Sequence, residues 1–415
     1  MQSFDRVFIT AKGEEHAKSG HPWVFEGEVK TILSPDSSAE AFPEDGTLVN
    51  VFSGSEEKPC FIGTGFYNSK SKIRVRLISS NANDRFDEAF WRRRLTHALE
   101  YRRTVMGSDF SCSRLIFGEA DFFPGLTVDL FTDVLVCQVL SLGMEKLKAL
   151  LIPMLAEMLA TCGVKIRAIY ERNDVALREK EGMTQGVGYF PGWEDASGDG
   201  HAVIVENGLK FDVDYIGGQK TGYFLDQKYN RAAAARLAKG RRVLDCFTHT
   251  GAFALNCAAA GAERVTAVDI SAAAIGQVKK NAAMNSLDGK VDCVCTDVFA
   301  LLTDMVKAKK HEYDYIILDP PAFTKSSATV KDAYRGYKDI NMRAMRSLPR
   351  GGYLATCSCS HFMTRPLFSR MLDDAARDAG VALRQIEERA QAPDHPILRG
   401  VPETEYLKFY LLQIV

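Results

Sequence analysis

The stretch Val243–Ala258, VLDCFTHTGAFALNCA, carries an apolar strand into an acid, a Thr/His/Gly turn and an alanine-rich helix that starts near Ala252. A junction of this kind aims backbone N–H groups and a helix N-terminus at a ligand. It holds a single glycine, so the dinucleotide fingerprint G-x-G-x-x-G is not met, and by itself it is equally a tight connection. What lies around it decides. RRVLDCF, RVTAVDI, VDCVCTDVF, YDYIILDPPAF, GGYLATCSCS and YLKFYLLQIV read as strands, with helices such as GAFALNCAAAG and AAAIGQVKKNAAMN between them. That βαβ rhythm predicts an α/β domain with a mostly parallel, doubly wound sheet, whose ligands bind at the carboxyl ends of the strands.

Those ends carry acids. Asp245 ends the first strand. Asp269 ends the second, where a carboxylate accepts hydrogen bonds from both hydroxyls of a ribose. Asp297 ends the third, where it can accept a hydrogen bond from an adenine amino group. A lone strand-end Asp is as readily a helix N-cap, but three at successive ends point to a nucleoside-bearing cofactor. The fourth strand ends in Ile316–Phe323, IILDPPAF. Its two prolines fix φ and remove two donors, so that Asp319 and the loop carbonyls face the crevice and can grip a planar base.

The rest of the 415 residues is too long for one domain at roughly 100–200 residues each. Residues 1–78 hold short β segments (RVFIT, PWVFEGEVKTI, GTLVNVFS, CFIGTGFY, KIRVRLIS) separated by turn chemistry, which predicts a small all-β module. Residues 79–200 open with an amphipathic helix over 85–105, with Asp84 placed to cap it. Strands, an apolar helix over 144–160 and the strand IRAIYER follow, an α+β arrangement. GYFPGWEDASGDGHA is the linker candidate, and 201–415 form the third domain, entered through a hairpin turning at Asn207-Gly208.

A hydrophobic content of 46%, a charged content of 25% and a net charge of −1 fit a globular protein without a global nucleic-acid footprint. Any RNA contact then falls to local clusters such as Arg92–Arg94, Arg102-Arg103, Arg241-Arg242 and Lys307–Lys310. No run approaches the roughly 20 apolar residues of a membrane span, and the N-terminal stretch lacks an apolar signal core. Ten cysteines without C-x-x-C pairs are read as reduced thiols. The expectation is a cytoplasmic protein with no membrane and no metal.

With Asp245–Phe253, Asp269, Asp297 and D-P-P-A-F in this order, the chain resembles a class I S-adenosylmethionine-dependent methyltransferase with a Rossmann-like sheet. More narrowly, GGQKTGYFLDQKYNR, LDPPAFTKS, YRGYKDINM and TCSCSHFM are similar to bacterial large-subunit ribosomal RNA methyltransferases of the cytosine-C5 methyltransferase I type. AKSGHPWVFEGEV resembles that family's PUA domain, an RNA-binding β-barrel, while GEADFFPGLTVDLF and IYERNDVALREKEG resemble its central domain. The resemblance implies S-adenosyl-L-methionine as cofactor and large-subunit ribosomal RNA as partner, and a homodimer is compatible with it. Carried over by motif, Gln219, Lys220, Thr221, Gly222, Tyr223, Phe224 and Asp226 would cover the methionine end of the cofactor. The other implied cofactor positions are Asp245, Phe247, Thr248, Gly251, Ala252, Phe253, Asp269, Ile270, Asp297, Val298, Asp319 and Pro320. Pro321, Phe323 and Tyr337 would meet the substrate. His249 departs from the family, which more often has an aromatic or small residue there. The segment YRGYKDINMRAMR, with Tyr334, Arg335, Lys338 and Asn341, reads equally as a substrate contact and as an amphipathic helix. Trp23, Phe25, Phe66 and Tyr67 could stack on bases or fill the core of the β module.

TCSCSH, Thr356–His361, sets Cys357 and Cys359 two apart on a strand and hence on one face. A structural zinc needs four ligands and no second pair supplies them. A disulfide between positions i and i+2 would span roughly 6.5–7 Å between Cα atoms, at the edge of what can be bridged. DCVCTD repeats the spacing at Cys293 and Cys295 on a predicted buried strand, so a small core hydrophobe is the plain reading, taken here for Cys357. Cys359 lies nearer the strand end beside LDPPAF, and matching TCSCS to the family motif makes it the nucleophile. A thiolate adding to carbon-6 of cytosine makes carbon-5 nucleophilic, and Asp319 could hold ring N3. Two alternatives stay open: methylation of a guanine N7, which needs no covalent thiol, and a non-catalytic RNA-binding assembly factor.

Overall fold

The computed structural model describes residues 2–324 and 326–415; Lys325 of the LDPPAFTKS stretch lies outside them. The chain forms two compact units and passes between them repeatedly. The first holds the residues up to Ala202 with Val213–Leu225 and Pro393–Thr404, and the second holds Val203–Asp212, Asp226–Ala392 and Glu405–Val415.

In the first unit, β1 (Arg6–Ile9), α1 (Ala11–Lys18), β2 (Trp23–Phe25), β3 (Val29–Leu33), β4 (Leu48–Gly54), β5 (Pro59–Tyr67) and β6 (Ile73–Ser79) make a six-stranded sheet in the order β2-β6-β5-β4-β1-β3. The region is not all β. Thr10 caps α1 by accepting from Gly13 N at 3.2 Å, and this eight-residue helix is too polar to show an apolar period. The single strand expected in PWVFEGEVKTI is broken by a turn at Glu26–Glu28, whose last carboxylate accepts from Phe25 N at 2.9 Å. Val7, Ile9, Val24, Val49, Val51 and Val75 fill the core of this sheet.

A second sheet follows in the same unit. It is built from α2 (Glu88–Met106), β7 (Cys112–Phe117), β8 (Leu126–Phe131), β9 (Val134–Val139), α3 (Leu142–Thr161), β10 (Ala168–Asn173), α4 (Leu177–Lys180) and β11 (Gly186–Tyr189), with strand order β11-β10-β9-β8-β7. The cap of α2 is Asp87, which accepts from Phe90 N at 3.0 Å, not Asp84, which accepts from Ser79 Oγ at 2.6 Å. The arginines of this region are largely committed within the fold. Arg92 pairs with Glu88, Arg93 with Asp84, Arg94 donates to Ile78 O, and Arg102 is fully buried on Asp121. Phe66 and Tyr67 are buried, Phe66 stacking on Trp91, whereas Trp23 and Phe25 are half-buried beside His16 and His21.

The hairpin β12 (His201–Glu206) and β13 (Leu209–Asp214) turns at Asn207-Gly208, both at positive φ, as the sequence predicts. The second unit continues with α5 (Lys228–Ala235), β14 (Arg242–Cys246), α6 (Ala252–Ala259), β15 (Arg264–Asp269), α7 (Ala272–Met284), β16 (Val291–Cys295), α8 (Val298–Ala308) and β17 (Tyr315–Leu318). It ends with α9 (Val330–Ser347), β18 (Tyr353–Ser358), α10 (Arg365–Ala379), β19 (Leu383–Arg389) and β20 (Lys408–Ile414). The sheet order is β16-β15-β14-β17-β18-β20-β19, parallel except for β20, which runs antiparallel to both of its neighbours. The four residues of β17 are wholly buried, as a central strand covered on both faces requires. The order reverses between β14 and β17, and that switch point is where a doubly wound sheet opens a crevice. β16 is an edge strand, so Cys293 is half-buried and Cys295 exposed, contrary to the buried strand read from DCVCTD. Among the described residues no helix is long and apolar enough to cross a membrane.

Candidate active site

The switch point gathers the strand ends β14, β15, β17 and β18. Asp245, at the end of β14, is 1% exposed. One of its oxygens accepts from Thr248 Oγ1 at 2.6 Å and from Ala254 N at 3.0 Å. The other is buried and meets no hydrogen-bond partner among the described residues. Burial pushes this carboxyl up to about 7, with the Asp319 charge adding to the effect. In the turn that follows, Phe247, His249 and Gly251 take positive φ values of 61°, 51° and 84°. For the two non-glycine residues that geometry costs roughly 1–2 kcal/mol each, strain of the kind that collects at functional sites. Gly251 is required by packing, because a Cβ there would lie 2.9 Å from Val278 and 3.0 Å from Leu255. Ala252 and Phe253, expected at the cofactor, are buried, with Phe253 stacked on Phe409; these side chains belong to the core.

Asp269 is fixed by two backbone donors, His249 N at 3.0 Å and Ser271 N at 2.9 Å. Beside it Ile270 is 71% exposed, an apolar side chain laid open at a strand end. Asp297 caps α8, its Oδ1 accepting from Ala300 N at 2.8 Å. Val298 is buried and packs in the core.

From β17, the Asp319 N–H donates to Cys246 O at 3.4 Å and its carboxylate accepts from Gln227 Nε2 at 3.2 Å. Pro320 is buried and Pro321 exposed. Phe323 is half-buried, its ring 4.4 Å from that of Tyr337. Tyr337 itself is fully buried between Phe323 and Phe368. It therefore supports Phe323 from beneath rather than presenting itself to a substrate, and α9 takes the amphipathic-helix alternative at Tyr337 and Asn341, both buried, while Arg335 is exposed.

The two thiols of TCSCSH part company at the end of β18. Cys357 lies inside the strand, fully buried; burial pushes its thiol well up, and the Asp319 carboxylate adds to this. Cys359 lies one residue beyond the strand and is half-buried. Opposite Ser358 in the antiparallel register stands Lys408, 2% exposed, whose Nζ donates to Ser360 O at 2.5 Å and Tyr406 O at 2.8 Å. Burial brings this amine down to about 8, with the Cys359 charge acting in the other direction. His361 Nδ1 is buried and meets no hydrogen-bond partner among the described residues. Asp226 is buried and accepts from Tyr406 Oη at 2.6 Å.

Residues 220–224 fall in the first unit. Lys220 takes a φ of 53° and its Nζ lies 4.6 Å from the centre of the Phe224 ring. Thr221 donates to Asp129 at 2.6 Å, and although burial would raise that carboxyl, Arg114 and Thr221 hold it below the ordinary carboxylate range. Gly222 sits at a φ of 118°, where a Cβ would lie 2.8 Å from Asp214 O, and Tyr223 is buried.

Gln227 and Lys408 escape sequence reasoning. Gln227 stands inside the DQ of GYFLDQKYNR, where the adjacent acid draws the eye, and only the strand register brings Lys408 to TCSCSH. The donor set of the second unit fits a nucleoside-bearing cofactor. Asp269 is an oriented carboxylate, Ile270 an apolar floor for a flat ring, and the unsatisfied Asp245 oxygen an acceptor awaiting a donor.

Residues 191–410 match the model of S-adenosylmethionine-dependent methyltransferases, and residues 7–80 match that of a PUA-like domain. The chain is 40% identical over 410 residues to a ribosomal RNA large subunit methyltransferase I of Pseudoalteromonas translucida, covering 98% of this chain and 99% of that one. It is 37% identical over 418 residues to the protein of the same name from Klebsiella pneumoniae strain 342, covering 99% of each. Among solved structures, a methyltransferase complexed with SAH superposes with a TM-score of 0.81 at 19% identity, covering 98% of this chain and 99% of that one. A SAM-dependent methyltransferase from Streptococcus mutans gives 0.79 at 20% identity with the same coverage. At these identities the two structures speak for the fold.

Proposed function

Because the chain belongs to the S-adenosylmethionine-dependent methyltransferases, and within them to the ribosomal RNA large subunit methyltransferase I family, we propose that it methylates carbon-5 of a cytosine in large-subunit ribosomal RNA with Cys359 as nucleophile. Bound S-adenosyl-L-methionine supplies an electrophilic methyl group; Asp269 and Ile270 would hold its nucleoside, and Asp245 a donor group. The observation that carries the reading is the position of Cys359, half-buried just past β18 and next to the loop in which the parallel neighbour β17 presents Asp319. Cys357, buried and with its thiol pushed up, is chemically inert by comparison.

In this mechanism the Cys359 thiol loses its proton to solvent and the thiolate forms a bond to carbon-6. The electron pair of the carbon-5–carbon-6 double bond takes up the methyl group at carbon-5, and the donor's methyl–sulfur bond would break with its electron pair left on sulfur, so that the neutral thioether S-adenosylhomocysteine departs. Loss of the carbon-5 proton to solvent then restores the double bond and expels the thiolate. Asp319 orients the ring, Phe323 flanks it, and the PUA-like module is assigned to holding RNA.

Nucleoside mass spectrometry of large-subunit RNA treated with the full chain is the test. Wild-type protein and Cys357→Ala are expected to give 5-methylcytidine, and Cys359→Ala none. Undiminished product from Cys359→Ala would remove the covalent role, and 7-methylguanosine in its place would establish the guanine alternative.

A further inference from the structure

Four polar side chains of the second unit form a chain of hydrogen bonds that ends on Asp319, and their chemistry fixes its direction. Arg389 Nε donates to Asn230 Oδ1 at 3.0 Å. A guanidinium has no acceptor, so the asparagine must turn its oxygen to Arg389 and its amide nitrogen away. That nitrogen donates to Gln227 Oε1 at 2.7 Å and to the Ala390 carbonyl at 3.1 Å, and a carbonyl can only accept. The oxygen of Gln227 is thereby engaged and its NH₂ must face the other way. There it donates to Asp319 Oδ1 at 3.2 Å. Gln227 and Asn230 are 3% and 2% exposed, so water does not compete for these bonds.

We propose that Gln227 is a positioning residue for methyl transfer: the Arg389–Asn230–Gln227 relay holds its amide donor toward Asp319, keeping that carboxyl group oriented toward the target base. The inference rests on the assignment of Asp319 to the substrate base. It explains why an amide, rather than an apolar side chain, is buried at the start of α5.

The relay can be reversed from a residue that does not touch Asp319. In Asn230→Asp both side-chain oxygens are acceptors; one keeps Arg389 as an ion pair, and the other draws the NH₂ of Gln227 toward itself, turning Oε1 onto Asp319. In Gln227→Glu the replacement matches the amide while protonated and repels Asp319 once ionised. Each full-length variant is assayed on large-subunit RNA across pH, with thermal stability and the Michaelis constant for S-adenosyl-L-methionine measured alongside.

Asn230→Asp is expected to lower kcat about tenfold or more, the scale of a misplaced acid–base group, with unchanged cofactor KM and melting temperature. Gln227→Glu is expected to approach wild-type kcat at acidic pH and lose it as pH rises, an alkaline limb that the wild type lacks in that range. Wild-type kcat and pH profile in both variants, together with an inactive Asp319→Ala, would overturn the relay alone. An active Asp319→Ala would overturn the assignment of Asp319 on which the relay depends.

Discussion

Asp245 shows how one unsatisfied oxygen becomes a measurable property. Its folded value, raised from the ordinary 3.8 to about 7 by burial, means that between these limits the unfolded chain releases a proton that the folded chain keeps. Its contribution is therefore complete below pH 4 and lost as pH rises through 7, up to about 4 kcal/mol for a fully buried group. Urea unfolding of the ligand-free protein should show Asp245→Asn gaining on wild type across that window, and parallel curves would refute it. Lys408 behaves in the opposite sense. Its amine, brought down to about 8 mainly by burial, binds its proton less tightly folded than unfolded, so stability rises between pH 8 and 10.5. Lys408→Met should abolish that rise. The acids Asp245, Asp269 and Asp319 are legible in the sequence because each ends an apolar strand, a local pattern. Gln227 and Lys408 are not: a polar residue amid apolar neighbours acquires its partner only through α5 and through the β18–β20 register, which are contacts between distant segments.

The helices and strands were legible where burial imposes a period and obscure where it does not. β14, β15, β17 and β18 run apolar because both of their faces are covered, whereas α1 and the edge strand β19, LRQIEER, are too polar to declare themselves. DCVCTD has the composition of a buried strand, and its edge position follows from sheet order, which no local pattern encodes. The start of α2 illustrates the limit on boundaries. Asp84 precedes the helix predicted over 85–105 and Asp87 falls inside it, and the backbone begins the helix three residues later, at Glu88. Asp87→Ala should destabilise the protein by about 1 kcal/mol through the lost bond to Phe90 N; a variant as stable as wild type in chemical denaturation would contradict the cap. Gly251→Ala should cost at least about 1 kcal/mol, since it combines a positive φ with a Cβ pressed on Val278. A variant as stable as wild type would show that the β14–α6 turn can relax.

The three-part division read from the sequence meets a molecule in which chain order and compactness disagree. Residues 213–225 and 393–404 belong with the N-terminal portion, and they are anchored there by buried polar bonds. Arg172 donates to Gly218 O at 2.7 Å, Thr221 to Asp129, and Arg114 N to Asp394 at 2.8 Å. A fragment starting at residue 203 therefore keeps the methyltransferase sheet but strands Asp394 and His395, which are 1% and 2% exposed in the full chain. It should unfold at lower temperature and with less cooperativity than the whole protein, and calorimetry showing an equally sharp, equally hot transition would disprove this. The interleaving also sets a clock. The six-stranded and five-stranded sheets are complete in sequence by Tyr189, yet one Arg102 nitrogen waits for the Asp394 carbonyl and the Arg114 backbone N–H for the Asp394 carboxylate, roughly 190 residues later in synthesis than Ala202, or about 10–40 s at ribosomal rates. During that interval the emerging N-terminal portion holds Arg102 on Asp121 and Arg114 on Asp129 but lacks the bonds that Asp394 adds at both residues, so its maturation is tied to the near-completion of translation.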